Sequence, residues 1–199
     1  IDTYWMAACS IDTAVRNAVS AGGSLKHLAI LDNFCWCDSN NPKRLWQLKN
    51  AARGCYDFAV AYGTPFISGK DSMFNDFRGY DENFKEIELS IPPTLLISSI
   101  GVMQDIRKAQ TIDFKFPGDL IYLIGRTADE TGGSEYNALI GEREKGKKYT
   151  GRNIPIVDAV LFKKIYAAME NAIESELVSS CISIERGGLG VAAAKSGLA

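Results

Sequence analysis

Apolar positions at Ala7, Ala8, Ile11, Ala14, Val15, Ala18 and Val19 recur at the three- and four-residue spacing of one helix face, and Gly22-Gly23 ends the run. The chain therefore opens on an amphipathic helix. His27-Leu28-Ala29-Ile30-Leu31 is a short apolar run that predicts a strand ending at Asp32-Asn33. After a long loop, Pro42 and the spacing of Leu45, Leu48, Ala52, Cys55 and Ala59 restore the helical period until Gly63. Pro65-Phe66-Ile67 predicts a second buried strand, running into the polar loop Ser68-Gly69-Lys70-Asp71-Ser72. Two predicted strands thus end in polar segments, at Asp32 and at Gly69, with a helix between them.

Residues 75–90 are charged and rich in turn formers, and Ile91-Pro92-Pro93 leads into a buried strand over Thr94 to Val102, the prolines marking its start. The charged interval Gln104-Asp105-Ile106-Arg107-Lys108 separates this stretch from the next, which divides the chain into domains 1–108 and 109–199. In the second part, Leu120 to Gly125 reads as a strand and Thr131-Gly132-Gly133 as a turn, with a short helix from Ser134. A Lys/Gly-rich loop over 141–153 precedes a long helix carrying Val157, Val160, Leu161, Ile165, Ala168 and Ile173 on one face. Val178 to Ile184 reads as a strand, and Gly187-Gly188 opens a final helix. Alternating strands and helices give the α/β (α+β) class.

The chain has 199 residues with 46% hydrophobic and 23% charged positions, the composition of a globular protein. Lys+Arg is 22 against Asp+Glu 24, so no positive surplus favours nucleic acid as a partner. The apolar runs fall well short of the roughly 20 residues that cross a bilayer. Five cysteines, an odd number, argue against a disulfide framework and for a reducing, cytoplasmic setting. Ile1-Asp2-Thr3-Tyr4-Trp5 lacks the basic and apolar regions of a signal peptide. With no initiator Met and an ending that reads as mid-helix, the sequence is expected to be a piece of a longer polypeptide.

Several segments could carry chemistry. The loop at Lys70 is not a P-loop: Gly63 stands six residues before Gly69, and Lys70 is followed by Asp71 where Ser or Thr would hold Mg²⁺. It still sets a glycine, a cation, a carboxylate and a hydroxyl within four positions, as a ligand loop or as a surface turn. Asp32, at a strand end, either takes a cation or a nucleotide donor or caps a turn with Asn33. Gly132-Gly133-Ser134 is either a phosphate loop at a helix start or an ordinary N-cap. The single histidine, His27, excludes a metal site of several imidazoles and reads as structural. Cys35-x-Cys37 has no second cysteine pair to complete a zinc set, and Phe34, Trp36 and Trp46 read as core or interface aromatics.

Taken together, Asp32-Asn33 with Pro42 to Gln47, Ser68 to Ser72, Ile91-Pro92-Pro93-Thr94, Gly118 to Gly125 and Gly132-Gly133-Ser134-Glu135-Tyr136 resemble phosphoribosylformylglycinamidine synthase. More narrowly, they resemble the second half of its synthetase subunit, within the aminoimidazole ribonucleotide synthetase-like superfamily. The match runs over nearly the whole chain. The resemblance implies an N-terminal α/β domain contributing to a central barrel-like sheet, followed by part of an α/β C-terminal domain. It implies an ATP-dependent carbon–nitrogen ligase of purine biosynthesis, which amidates formylglycinamide ribonucleotide with glutamine-derived ammonia through an iminophosphate. ATP and Mg²⁺ are the implied cofactors. The implied partners are the first half of the same synthetase and a glutaminase subunit or domain, with a homodimer of the piece as a further expectation.

Position by position, the resemblance implies that Asp32 and Gly69 contact ATP and that Ser72 contacts the ribonucleotide. Lys70 departs from the Asn that ligates Mg²⁺ in many relatives, and an ammonium cannot ligate a cation. Lys70 is therefore expected on a phosphate oxygen of ATP, with Asp71 or a residue outside the sequence on the metal. Glu185-Arg186-Gly187-Gly188 departs from the usual Ser-Asp-Gly-Gly by placing a cation where a carboxylate stands. The family's catalytic histidine lies in the first half of the subunit, so no catalytic residue is expected in this sequence. Two other functions fit the same motifs: a half that binds a structural nucleotide and scaffolds a glutaminase, or another ATP-dependent synthetase of the superfamily.

Overall fold

In the computed structural model, which describes residues 2–147 and 149–199, the first helix, α1 (Thr3–Ser20), starts where Asp2 Oδ1 accepts the amides of Tyr4 at 3.0 Å and Trp5 at 3.2 Å. The second, α2 (Pro42–Tyr62), is capped by the Asn41 side chain, carries Pro42 in its first turn and stops at Gly63 in the left-handed conformation, φ 76°. Both follow the apolar periodicity. They cross closely at Gly54, where a Cβ would lie 2.7 Å from the Tyr4 carbonyl oxygen and 3.0 Å from the Ala7 Cβ, so that only a hydrogen fits.

Among the described residues five strands form: β1 (Leu28–Cys35), β2 (Phe66–Ser72), β3 (Phe77–Tyr80), β4 (Glu86–Leu89) and β5 (Thr94–Gly101). The main sheet has the order β2-β1-β5, with β1 parallel to β2 and antiparallel to β5, while β3 and β4 form a separate hairpin. Two readings change here. β1 runs on through Asp32 and Asn33 to Cys35, and the segment Ser68–Ser72, read as a loop, is the body of β2. Gly-Lys-Asp-Ser has poor strand propensity, but pairing with a central strand supplies the backbone bonds that propensity alone does not. The charged stretch at 75–90 likewise folds into a hairpin, its turn held by Asp81 Oδ1 on the amides of Asn83 and Lys85.

Leu28, Ile30 and Phe34 alternate onto the sheet face that α1 and α2 cover, and Leu95 joins them from β5. Among the described residues no helix covers the opposite face: Leu96 and Ile100 are exposed there, as are Ser68 and Lys70 of β2. The whole chain exposes 13,197 Å², against roughly 9,300 Å² expected of a folded monomer of this mass.

The remaining helices are α3 (Glu135–Lys145), α4 (Ala159–Glu174) and α5 (Gly188–Leu198). α3 takes up part of the stretch read as a loop over 141–153, and Lys148 of that loop lies outside the described residues. The runs Leu120–Gly125 and Val178–Ile184 are not strands, and Leu120 to Ile124 are all exposed. An apolar run becomes a strand only when a neighbouring edge takes its backbone groups, and none is paired with these. α4 packs back onto α1 and α2, placing Tyr166 in their core. It is tied there by Lys163 Nζ donating to the Ala61 carbonyl at 2.8 Å, by Glu170 accepting from Ser24 Oγ at 2.6 Å, and by Lys108 with Glu174 at 2.8 Å.

Candidate functional site

The structure brings Asp32 and Gly69 together, within two paired strands rather than at strand tips. In the parallel register Asp32 faces Gly69, Asn33 faces Lys70, Phe34 faces Asp71 and Cys35 faces Ser72. The Asp32 carboxylate occupies the space where any larger residue at 69 would put its Cβ, which would lie 2.2 Å from Oδ1 and 2.9 Å from Cγ. Gly69 is thus required by its neighbour: the glycine makes room for the carboxylate.

Strand parity sorts the other candidates. Asp32 shares its face with Leu28, Ile30 and Phe34, beneath α2, and its charge helps to raise the pKa of the Cys55 thiol on that helix, after burial. Asp71, the partner of Phe34, lies on the same face. Lys70 and Ser72 lie on the opposite, helix-free face, where the Lys70 ammonium donates to Ser72 Oγ. The candidates therefore divide into two carboxylates on one side of β2 and a cation with a hydroxyl on the other.

The main chain adds a third element. Trp36 N–H bonds the Ser72 carbonyl at 2.7 Å, and the parallel register then points the backbone groups of Lys70 and Ser72 toward β1. Those of Gly69 and Asp71 point to the other side, which is an open edge because β2 ends the sheet. Unpaired amides on such an edge are donors for an anion.

Burial raises the Asp32 carboxyl pKa above its ordinary value; its own backbone N–H opposes this and the Asp71 charge adds to it. A half-buried carboxylate with a second one nearby is poised to take a cation or a donor. Among the described residues no group of three or more His, Cys, Asp and Glu side chains could hold a metal by themselves. Two carboxylate oxygens suit Mg²⁺, which keeps most of its waters and takes one or two carboxylates together with ligand phosphates.

Gly132-Gly133-Ser134 is placed at the start of α3 with its donors in use. Gly132 N–H bonds the Asn153 carbonyl and Gly133 N–H the Thr150 carbonyl, each at 2.5 Å, and Ser134 N–H bonds the Thr131 carbonyl at 3.0 Å. Ser134 Oγ caps the helix at the Asn137 amide, 3.2 Å away. This conformation shows the N-cap arrangement. Arg186 pairs with Glu135, the first residue of α3.

Sequence reasoning passed over Asp12, which is buried and bonded to Tyr62, Tyr166 and Arg16. A signal was present, since Asp12 interrupts the apolar stripe formed by Ala8, Ile11, Val15 and Val19. The free edge of β2 had no signal, because pairing is not written in a strand's own residues.

No family model matches the chain. It is 34% identical over 186 residues to phosphoribosylformylglycinamidine synthase subunit PurL of Alkaliphilus metalliredigens, covering 94% of this chain and 23% of that protein. It is 32% identical over 197 residues to the subunit of the same name from Methanocaldococcus jannaschii, covering 98% and 25%. The chain therefore spans about a quarter of the length of these curated relatives. Among solved structures, Thermotoga maritima PurL complexed with FGAR superposes with a TM-score of 0.60 at 17% identity, over 98% of this chain and 29% of that one. The same protein complexed with ATP gives 0.58 at 17% identity, over 96% and 25%. At that identity the superposition speaks for the fold alone, and the fold is the aminoimidazole ribonucleotide synthetase-like one.

Proposed function

The chain belongs to the phosphoribosylformylglycinamidine synthase family, and we propose from that premise that it forms part of the site where ATP drives amidation of formylglycinamide ribonucleotide. The observation that carries the reading is the fit of the Asp32 carboxylate against Gly69 on the paired strands β1 and β2. An amide oxygen is a poor leaving group, and phosphorylation turns it into one that ammonia can displace. The protein's part in such a step is to hold the reactants and to offset the charge of the phosphoryl group.

The residues divide that work. Asp71, with Asp32 on the same face, would hold Mg²⁺, which offsets phosphate charge when bound. The open-edge amide of Gly69 would donate to a phosphate oxygen, and Lys70, unable to ligate a metal, would add its ammonium to another. Ser72 Oγ would contact the ribonucleotide from the helix-free face. Since the carboxylates and Lys70 stand on opposite faces, ATP would reach both by lying across the free edge of β2. Gly132, Gly133 and Ser134 enter this reading as a phosphate loop only if their amides exchange their present carbonyl partners for the ligand.

The exposed helix-free face supports docking of this chain against the first half of the same synthetase, which would bring the catalytic residues, and a glutaminase would supply ammonia. A homodimer through that face is the corresponding expectation for the isolated chain. Among the described residues no helix is long and apolar enough to cross a membrane. The reading is tested by titrating ATP, with and without Mg²⁺, into the full-length polypeptide and its Lys70→Ala and Asp32→Asn variants. The expected result is a loss of affinity of about tenfold or more for each, the scale of one charge-assisted hydrogen bond. Unchanged affinity in Lys70→Ala would discard its phosphate role, and unchanged affinity in both would discard the site.

A further inference from the structure

Asp12 is 3% exposed and stands in the apolar stripe of α1. Its Oδ1 accepts hydrogen bonds from the hydroxyls of Tyr62 and Tyr166, both at 2.6 Å, and its Oδ2 accepts from Arg16 Nη1 at 2.7 Å. Burial, then the charge of Asp12, pushes both phenols far above their ordinary pKa, so that both remain donors. One carboxylate thereby joins α1 to the last residue of α2 and to the middle of α4. Arg16 extends the connection. Its Nε donates to Ser183 Oγ at 2.9 Å and its Nη2 to the Ile184 carbonyl at 3.3 Å. Two residues later Arg186 pairs with Glu135 at the start of α3, and Gly187-Gly188 begins α5.

We propose that Asp12 and Arg16 are positioning residues, which hold the segment 183–188 and the helix starts it carries in a fixed place on the α1–α2 layer. The choice of groups supports this over a role in core stability alone. Only Asp12 of the pair is fully buried, and apolar residues of similar volume often replace a buried ion pair without loss of stability, whereas the planar fork of a guanidinium accepts few arrangements of its acceptors. Here the fork reaches four acceptors, on Asp12, Thr13, Ser183 and Ile184. Among the described residues the segment it anchors has no strand partner, so its place on α1 depends on side chains rather than on a ladder. The role does not depend on the nucleotide reading.

The test is amide hydrogen exchange, followed by mass spectrometry, on the full-length polypeptide carrying Arg16→Met, Arg16→Lys or the apolar pair Asp12→Leu with Arg16→Met. Arg16→Lys keeps the charge next to Asp12 but loses the fork. In all three, the Gly188 amide, which bonds the Glu185 carbonyl at 3.0 Å, is expected to exchange about 10- to 100-fold faster, the scale of losing charge-assisted hydrogen bonds, and to rise by more than the amides of α1 and β1. Unchanged exchange at Gly188 would overturn the proposal. So would an equal rise across α1, β1 and Gly188, or failure of all three variants to fold, each of which would make the pair an ordinary support of the core.

Discussion

Replacing Gly69 with Ala perturbs the candidate site at its closest contact. The added methyl would stand 2.2 Å from Asp32 Oδ1 and 2.9 Å from its Cγ, where packed atoms need roughly 3.5 Å. The carboxylate must therefore turn away or β2 must shift. Turning a side chain off its rotamer costs about 0.5–1.5 kcal/mol, and overpacking a fixed neighbour costs about 1–3 kcal/mol. β2 is an exposed edge strand and yields more readily than a core element, which favours the lower part of those ranges. Ala also stiffens the unfolded chain relative to Gly, a gain of about 0.4–1 kcal/mol. The net expectation is a loss of about 1 kcal/mol, measured by urea unfolding of the full-length polypeptide. The sharper measurement is the same substitution in an Asp32→Ala background. With the carboxylate gone the three nearest atoms that the methyl would meet are removed, the unfolded-state term dominates, and Gly69→Ala should become neutral or stabilising. An equal cost in both backgrounds, or no cost in the wild type, would refute the steric account of Gly69.

Two further outcomes follow from buried groups. Thr64 is fully buried and its hydroxyl has no hydrogen-bond partner among the described residues, so Thr64→Val is expected to be neutral or to stabilise by up to about 1 kcal/mol, read as a rise in Tm. Burial, the leading cause in both, pushes the Cys9 thiol up to about 11 and the Cys55 thiol up to about 12, from an ordinary 9.0. The unfolded chain releases these protons first, so their contribution is intact below pH 9 and is lost as the pH rises through the folded values. Stability should fall more steeply above pH 9 in the wild type than in Cys55→Ala, measured by denaturant titration at stepped pH; parallel curves would contradict it.

Periodicity determined the helices α1, α2 and α4, because a helix satisfies its backbone internally and needs only an apolar stripe to show which way it faces. The start and stop of α2 at Pro42 and Gly63, and the start of α3 at Ser134, were equally legible. The motifs that carry the family resemblance are contiguous stretches of chain, so they too could be read in one dimension. Strands could not. Leu120–Ile124 has the composition of a strand and is not one, while Ser68–Ser72 lacks that composition and forms β2. The difference is a partner edge, which lies elsewhere in the chain or outside it. Only the tertiary structure decided that Gly69 yields its side-chain space to Asp32, that Lys70 stands on the other face from Asp71, and that Asp12 collects two tyrosines and an arginine. Each of these is a relation between residues far apart in sequence, set by strand register and helix packing rather than by any residue's own preference.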